Sequence, residues 1–535
     1  MLDGTGAPAV RADVGVRDGR IAAVGTLGDS GAAGRAGPAG AAGKAGAAGP
    51  AGAAGPAGAA VPAPGAGPPE IDATGRYVTP GFVDAHVHAD AALFDAAVQL
   101  ALLRQGITTV VLGQDGLSYA PGSPATVGYV SRYFAAVNGI HPEFAGGRVA
   151  DLLAGYDRAT PVNAAYLVPH GTVRYEVVGS APRPADPDEL AAMRALVEEG
   201  LADGAAGLSS GLEYAPGRYA GTAELAYLCG PLGGRLYVTH MRGYEARAPV
   251  GMAEVTEIGR LARVPQHVSH YHGPAAELTA LLDAARAGGL DVTFDSYPYL
   301  RGSSILAMVV LPDWLPTADL EVAEAMLRDP AVRGRLRAQW PDTLWPTISL
   351  SQVSHPDWAW TEGLRLPDAA ARAGLDPAGL AIELLLADHL QVGCVFDQPP
   401  TNSEESVRAL LRDERHMGGS DGIYQGRHPH PRGYGAFARL LGRYVRELGD
   451  WTWPEAVVHL AARPAVRFGL AGRGLIRPGY AADLVLLDPS TVGDRATYEA
   501  PRELAVGIDD VLVAGVPVLA GGALTGARPG RAVTP

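Results

Sequence analysis

His86 and His88 stand one residue apart in TPGFVDAHVHAD, residues 79–90. In an extended strand, side chains two apart lie on the same side, so the two imidazoles converge on one point. Such a pair suits a metal ion, and it also suits a plain hydrogen-bonded pair of histidines. Further polar residues close other short apolar runs: Asp115 in ITTVVLGQD, His170 in NAAYLVPHG, His240 in RLYVTHMR, His270 and His272 in VPQHVSHYH, Tyr297 and Tyr299 in LDVTFDSYPY, and Asp421 in MGGSDG. Imidazole and carboxylate are the donors that catalytic zinc sites take, with one position left for water. His86, His88, Asp115, His240, His270 and Asp421 are therefore candidate ligands. One histidine at a strand end is commonly a hydrogen-bonded core residue; several brought to one mouth point to a site.

The runs that end on these residues must position them. Counting GFVDAHVH, ITTVVLGQD, NAAYLVPHG, GAAGLSSGL, RLYVTHMR, VPQHVSHYH, LDVTFDSYPY and MGGSDG gives eight, alternating with helical stretches between about residues 79 and 470. That is the α/β pattern of a (β/α)8 TIM-like barrel, in which chemistry sits at the carboxyl ends of the strands. Before and after it, VGVRDGRIAAVG, EIDATGRYVTPGF, LIRPGYAADLVLLDP and VLVAGVPVLAGGALTG read as short strands and turns. We expect these ends, residues 1–78 and 471–535, to pair into one small β-sandwich while the barrel, 79–470, loops out between them. The opening MLDGTG resembles the middle of a hairpin, which suggests a preceding strand. Residues 311–340 exceed what a connection between the seventh and eighth runs requires, and form either a lid over the catalytic face or an extra helix pair.

Glycine recurs at every third position from Gly28 to Gly58. The period is that of collagen, but these triplets are rich in alanine and poor in proline, so the tract, about 28–68, reads as a flexible insert apart from the fold. The chain has 535 residues and a formal charge of -14, which disfavours nucleic acid and anionic membrane as partners. It contains neither an amino-terminal signal pattern nor a run near the roughly 20 apolar residues of a membrane span. A cytoplasmic protein acting on a small molecule is the expectation, with its oligomeric state open. Cys229 and Cys394 are too few for a disulfide framework, and Lys44, inside the glycine-rich tract, is the only lysine. The body of the protein thus has no P-loop lysine, no Schiff-base lysine and no carboxylated-lysine metal bridge.

VTPGFVDAHVHAD, GLSSGLEYAPGRYA, YVTHMR, VPQHVSHYH, GGSDG and HPRGYGAFARLL are similar, in order and spacing, to the N-acyl-D-amino-acid deacylases (D-aminoacylases) of the amidohydrolase superfamily. The likeness runs over nearly the whole chain apart from the insert. It implies a zinc-dependent barrel, with one or two ions, that hydrolyses the amide of an N-acyl-D-amino acid. It places His86 and His88 on one side of the metal site and His240 and His270 on the other, with Asp421 as general base. Two positions depart from the family. Asp115 stands where these enzymes usually carry a metal-bridging cysteine, and a carboxylate is a harder donor than a thiolate. His272 stands where they tend to place a lysine near the substrate.

A free α-carboxylate on such a substrate calls for the planar fork of an arginine. Arg432 in HPRGYG is the candidate, with Tyr297 and Tyr214 as donors to the carboxylate or to the developing oxyanion. The alternatives are a related amidohydrolase acting on a dipeptide or a cyclic amide, and a catalytically silent barrel. Cyclic-amide enzymes commonly use a carboxylated lysine, which this chain lacks.

Overall fold

A computed structural model describes residues 1–27 and 70–535; the glycine-rich tract lies outside the described residues. Eight short parallel segments form the central framework: β1 Phe82–Asp84, β2 Ile107–Leu112, β3 Asn163–Tyr166, β4 Gly207–Gly211, β5 Leu236–His240, β6 Gln266–Val268, β7 Val292–Ser296 and β8 His416–Gly418. Every one of the eight runs expected from the sequence contributes one. β1, β2 and β3 pair side by side in parallel. After Leu167 the third run continues as Val168–Pro169, which pairs with β4, and the order then proceeds through β5, β6 and β7 to β8. Between the first and last runs, the Ala85 N–H donates to Gly418 O at 3.1 Å. Val87–His88 also pairs in parallel with Gly422–Ile423.

The local sequence explains this layout. ITTVVL of β2 is rich in β-branched residues and buried throughout, as a strand covered on both faces must be. Helices fill the connections, and their starts are written in the chain: Asp186 caps Pro187–Ala202 in a capping box with Glu189, and Pro187 occupies the first turn, where its missing N–H costs nothing.

The two ends of the chain meet in one five-stranded antiparallel sheet. Tyr77–Pro80 pairs with Leu484–Leu487, which continues to Ile508–Val513, Val516–Ala520 and Ala523–Leu524. The hairpin of Asp13–Arg17 and Arg20–Gly25 lies against it, with Ile21 sharing a core with Ile476, Ala482, Leu484, Leu486 and Leu512.

The long connection from β7 to β8 carries its own antiparallel sheet, with Gly393–Asp397 between Arg301–Ile305 and Ile348–Gln352. Within it, the stretch 311–340 contains the helices Leu320–Arg328 and Pro330–Gln339. No helix among the described residues is long and apolar enough to cross a membrane.

Candidate metal centre and the site around it

Three of the six candidate ligands sit on left-handed backbone two or three residues past the end of a strand: Asp115 at φ 54°, His270 at 37° and Asp421 at 48°. Side chains other than glycine seldom adopt this region, and where they do the surrounding structure must enforce it. Around Asp115 the enforcement is visible. Gly113 and Gly116 flank it at φ 74° and 70°, and a Cβ on Gly113 would strike Leu167 O. The Gln114 amide donates to Ala85 O and Val111 O, fixing the turn to β1 and β2. A sharp turn at a strand end aims the next side chain across the mouth of the framework.

The aim converges. His86, His88 and Asp115 form one cluster whose ligand atoms all lie within 4.8 Å of one another, and Asp115, His240 and His270 form a second, all buried. Asp115 belongs to both. Its Oδ1 lies 3.6 Å from His86 Nε2 and 3.7 Å from His270 Nε2, while Oδ2 lies 3.5 Å from His88 Nε2 and 3.4 Å from His240 Nδ1. Asp421 Oδ1 faces the first pair, 3.6 Å from His86 Nε2 and 3.4 Å from His88 Nε2.

These residues fit a divalent cation. Asp115 Oδ1 and His240 Nδ1 are buried and have no hydrogen-bond partner in good geometry, an arrangement that costs free energy unless a further group satisfies it. Protonation shows the same tension. Burial disfavours a charged imidazole, yet Asp115 and Asp421 push His88 up to about 10, and Asp115 with Glu213 pushes His240 up to about 10. Burial likewise opposes the Asp115 carboxylate, but His86, His240 and His270 hold it well below the usual range. A cation among these groups supplies the positive charge that protons otherwise provide, so binding it releases protons.

Arg432 opens the helix Arg432–Arg439 and is only 1% exposed. Its Nη2 donates to Asp421 Oδ2 at 2.8 Å, and its guanidinium lies 4.6 Å from the centroid of the Tyr297 ring. Its Nε is buried and unpartnered. Burial raises the cost of ionising Asp421, but Arg432 first, then His88, His270 and His86, lower its pKa and keep it ionised.

The remaining expected residues line this centre in different ways. Tyr214 is buried; its ring packs 5.0 Å from that of His240 and its hydroxyl lies 2.8 Å from Ser304 Oγ. Tyr297 meets Arg432 with its ring face, and its hydroxyl accepts from Gln398 Nε2 at 3.4 Å. His272 Nδ1 lies 2.7 Å from His270 O, and its ring stacks on Tyr244. His170 stands outside the cluster, 2.9 Å from Glu224 in a buried network with Arg174. The long connection touches the centre through the strand Arg301–Ile305, by Ser303 O to Arg432 and Ser304 to Tyr214, and through Gln398 to Tyr297.

Sequence reasoning missed several residues that hold the ligands. His88 Nδ1 lies 2.9 Å from Asn138 Oδ1, His240 Nε2 lies 3.1 Å from Glu213 Oε2, and Asp295 underlies both His86 and His270. Asp295 sits at the end of β7, so the strand-end rule that selected the other residues also reaches it. Nothing local to Asn138 marks it.

The chain matches the family model described as amidohydrolase family over residues 69–519. Among curated proteins it is 34% identical to a D-aminoacylase of Alcaligenes xylosoxydans xylosoxydans, covering 99% of this chain and 95% of that one. It is 33% identical to an N-acyl-D-glutamate deacylase of the same organism, over 99% and 94%. Among solved structures, a D-aminoacylase superposes with a TM-score of 0.77 at 33% identity, covering 100% of this chain and 98% of that one. N-acyl-D-glutamate deacylase from Bordetella bronchiseptica, complexed with zinc and a phosphonate mimic of the tetrahedral intermediate, superposes at 0.76 with 32% identity, over 100% and 98%. A dihydropyrimidinase from Brevibacillus agri, 15% identical with a TM-score of 0.55, shares the fold alone.

Proposed function

The chain belongs to the amidohydrolase family, and from that premise we propose that it hydrolyses the amide bond of N-acyl-D-amino acids, releasing a carboxylate and the free D-amino acid. The observation that carries this reading is the buried Asp421–Arg432 pair set against four histidines and Asp115. It joins a base, a carboxylate-binding cation and a cation-binding cluster in one mouth.

His86, His88, His240, His270, Asp115 and Asp421 would hold zinc, as one ion or two. Bound there, zinc lowers the pKa of water and polarises an amide carbonyl. The protein's own groups do the rest. Asp421, kept ionised by Arg432, accepts a proton from the attacking water through Oδ1 and passes it to the departing nitrogen. Arg432 receives the substrate α-carboxylate through its unpartnered Nε and a remaining Nη hydrogen, while the Tyr297 face supports the guanidinium. Tyr214 donates to the substrate by exchanging its Ser304 contact. His272 braces the His270 turn through its backbone carbonyl. The D preference follows the curated relatives, named as a D-aminoacylase, an N-acyl-D-glutamate deacylase and an N-acyl-D-aspartate deacylase.

The reading extends to the architecture. The eight parallel segments close into one (β/α)8 barrel over about 79–470, and residues 1–78 and 471–535 make a small β-sandwich, supported by the shared antiparallel sheet and the hairpin packed on it. The test of function is release of free amine from an N-acetyl-D-amino acid by purified protein. Release that stops with chelator and returns with zinc supports the reading, and release indifferent to chelator refutes the metal-dependent route.

A further inference from the structure

The Asp295 carboxylate is fully buried and faces two other strand runs at once, through His86 after β1 and through His267 and His270 of the β6 run. Oδ1 accepts the His270 backbone N–H at 2.8 Å. Oδ2 accepts from His267 Nε2 at 2.9 Å and faces His86 Nδ1 at 3.4 Å. Against it lies Gly419, where a Cβ would come within 2.7 Å of Oδ1. His86 belongs to one candidate metal cluster and His270 to the other.

We propose that Asp295 is a positioning residue for both halves of the metal centre: it sets the tautomer of His86 and fixes the left-handed turn that presents His270. The inference rests on the metal-dependent reading of the site. An ionised carboxylate only accepts hydrogen bonds. Oδ2, 3.4 Å away, is the acceptor that faces the otherwise unpartnered Nδ1 of His86; a proton held there leaves the lone pair of Nε2 toward Asp115 and Asp421, each 3.6 Å away. The same carboxylate ties down the N–H of His270, a residue held at φ 37°. His267, the other partner of Oδ2, does not face the metal cluster; its Nδ1 lies 2.9 Å from Thr293 Oγ1.

An asparagine cannot reproduce this. If its carbonyl keeps the His270 N–H, its NH2 faces His86 Nδ1 and His267 Nε2; the His86 proton then moves to Nε2, the nitrogen meant for the cation. If the amide turns over, two donors meet at the His270 backbone. Either orientation impairs a ligand while leaving the volume of the core unchanged.

The experiment measures zinc affinity of the metal-free protein by competition with a chromophoric chelator, for wild type, Asp295→Asn and His267→Gln, with the melting temperature of each metal-free protein as the fold control. Partners that orient metal-bound histidines typically contribute 10–100-fold in affinity, so D295N is expected to bind zinc at least about tenfold more weakly with its melting temperature kept. The visible spectrum of the cobalt-loaded D295N protein should also change, since a ligand nitrogen is lost. H267Q leaves the Asp295–His86 contact in place and should retain wild-type affinity and spectrum. Should D295N not fold, Asp295→Glu, which moves the carboxylate by one methylene, is measured instead with the same weakening expected. Wild-type affinity in the asparagine or glutamate variant, or an equal loss in H267Q, overturns the proposal. Tight zinc binding by a wild type that hydrolyses no N-acyl amino acid would refute the functional reading and leave this one standing.

Discussion

Replacing Arg432 with glutamine removes the charge proposed to bind the substrate carboxylate, and the loss can be worked from its contacts. The guanidinium already gives Asp421 one bond, and Nε is buried without a partner. A substrate carboxylate bound to Nε and a free Nη hydrogen gains two charge-assisted hydrogen bonds, each contributing about 1.5–3 kcal/mol. Losing both raises the barrier by about 3–6 kcal/mol, or about 10²- to 10⁴-fold in kcat/KM. Part of any loss arises through Asp421, whose ionisation Arg432 supports, so the assay compares two substrates. One is an N-acetyl-D-amino acid and the other its α-carboxamide, which has no negative charge to bind. In wild type the acid should be far the better substrate, and in R432Q that preference should fall by about the factor above. Arg432→Lys, a point charge without the fork, should lie between them. Equal losses on acid and amide in R432Q would refute the assignment and leave Arg432 as a support for Asp421.

Three further outcomes follow from the same geometry. Asp421→Asn should lower kcat by about 10²- to 10⁴-fold, the usual contribution of a positioned base, and metal analysis should find the His86 and His88 cluster still loaded. Asp115→Ala removes the carboxylate common to both clusters and should lower zinc content, measured by elemental analysis after dialysis; unchanged zinc and activity would show that Asp115 is not a ligand. Burial, and secondarily Arg463, pushes the His416 imidazole down to about 3. The unfolded chain, with an ordinary pKa near 6.5, therefore takes a proton that the folded chain refuses. This contribution to stability is complete above about pH 6.5 and falls by roughly 1.4 kcal/mol per pH unit below it, about 2 kcal/mol by pH 5. Urea unfolding midpoints should fall accordingly between these pH values, and less steeply in His416→Gln.

The parallel framework was legible because its strands are short and buried, so that each appears as a short run ended by a turn, even where, as in NAAY, GLSSG and HMG, the run carries none of the β-branched residues that mark ITTVVL. The candidate ligands were legible for a related reason: a polar residue at the end of a buried run has few roles. His86, His88, Asp115, His240, His270 and Asp421 stand at those ends, and the structure brings all six together. Residues that act from the flank left weaker traces. Asn138 reaches His88 from the helix Ala135–Asn138, outside any strand, and Glu213 was overshadowed by its neighbour Tyr214. In the long connection after β7, the sequence is visibly helical at 311–340. Its contacts with the centre come instead from Gln398 and from the strand RGSSI, whose small polar residues give no periodic signal.

The most direct test of the central claim is the ratio of kcat/KM for matched N-acetyl-D- and N-acetyl-L-amino acids with zinc-loaded wild-type protein. Hydrolysis of the D series with little or none of the L series is the predicted result. Hydrolysis of both series alike, or of neither, would contradict it.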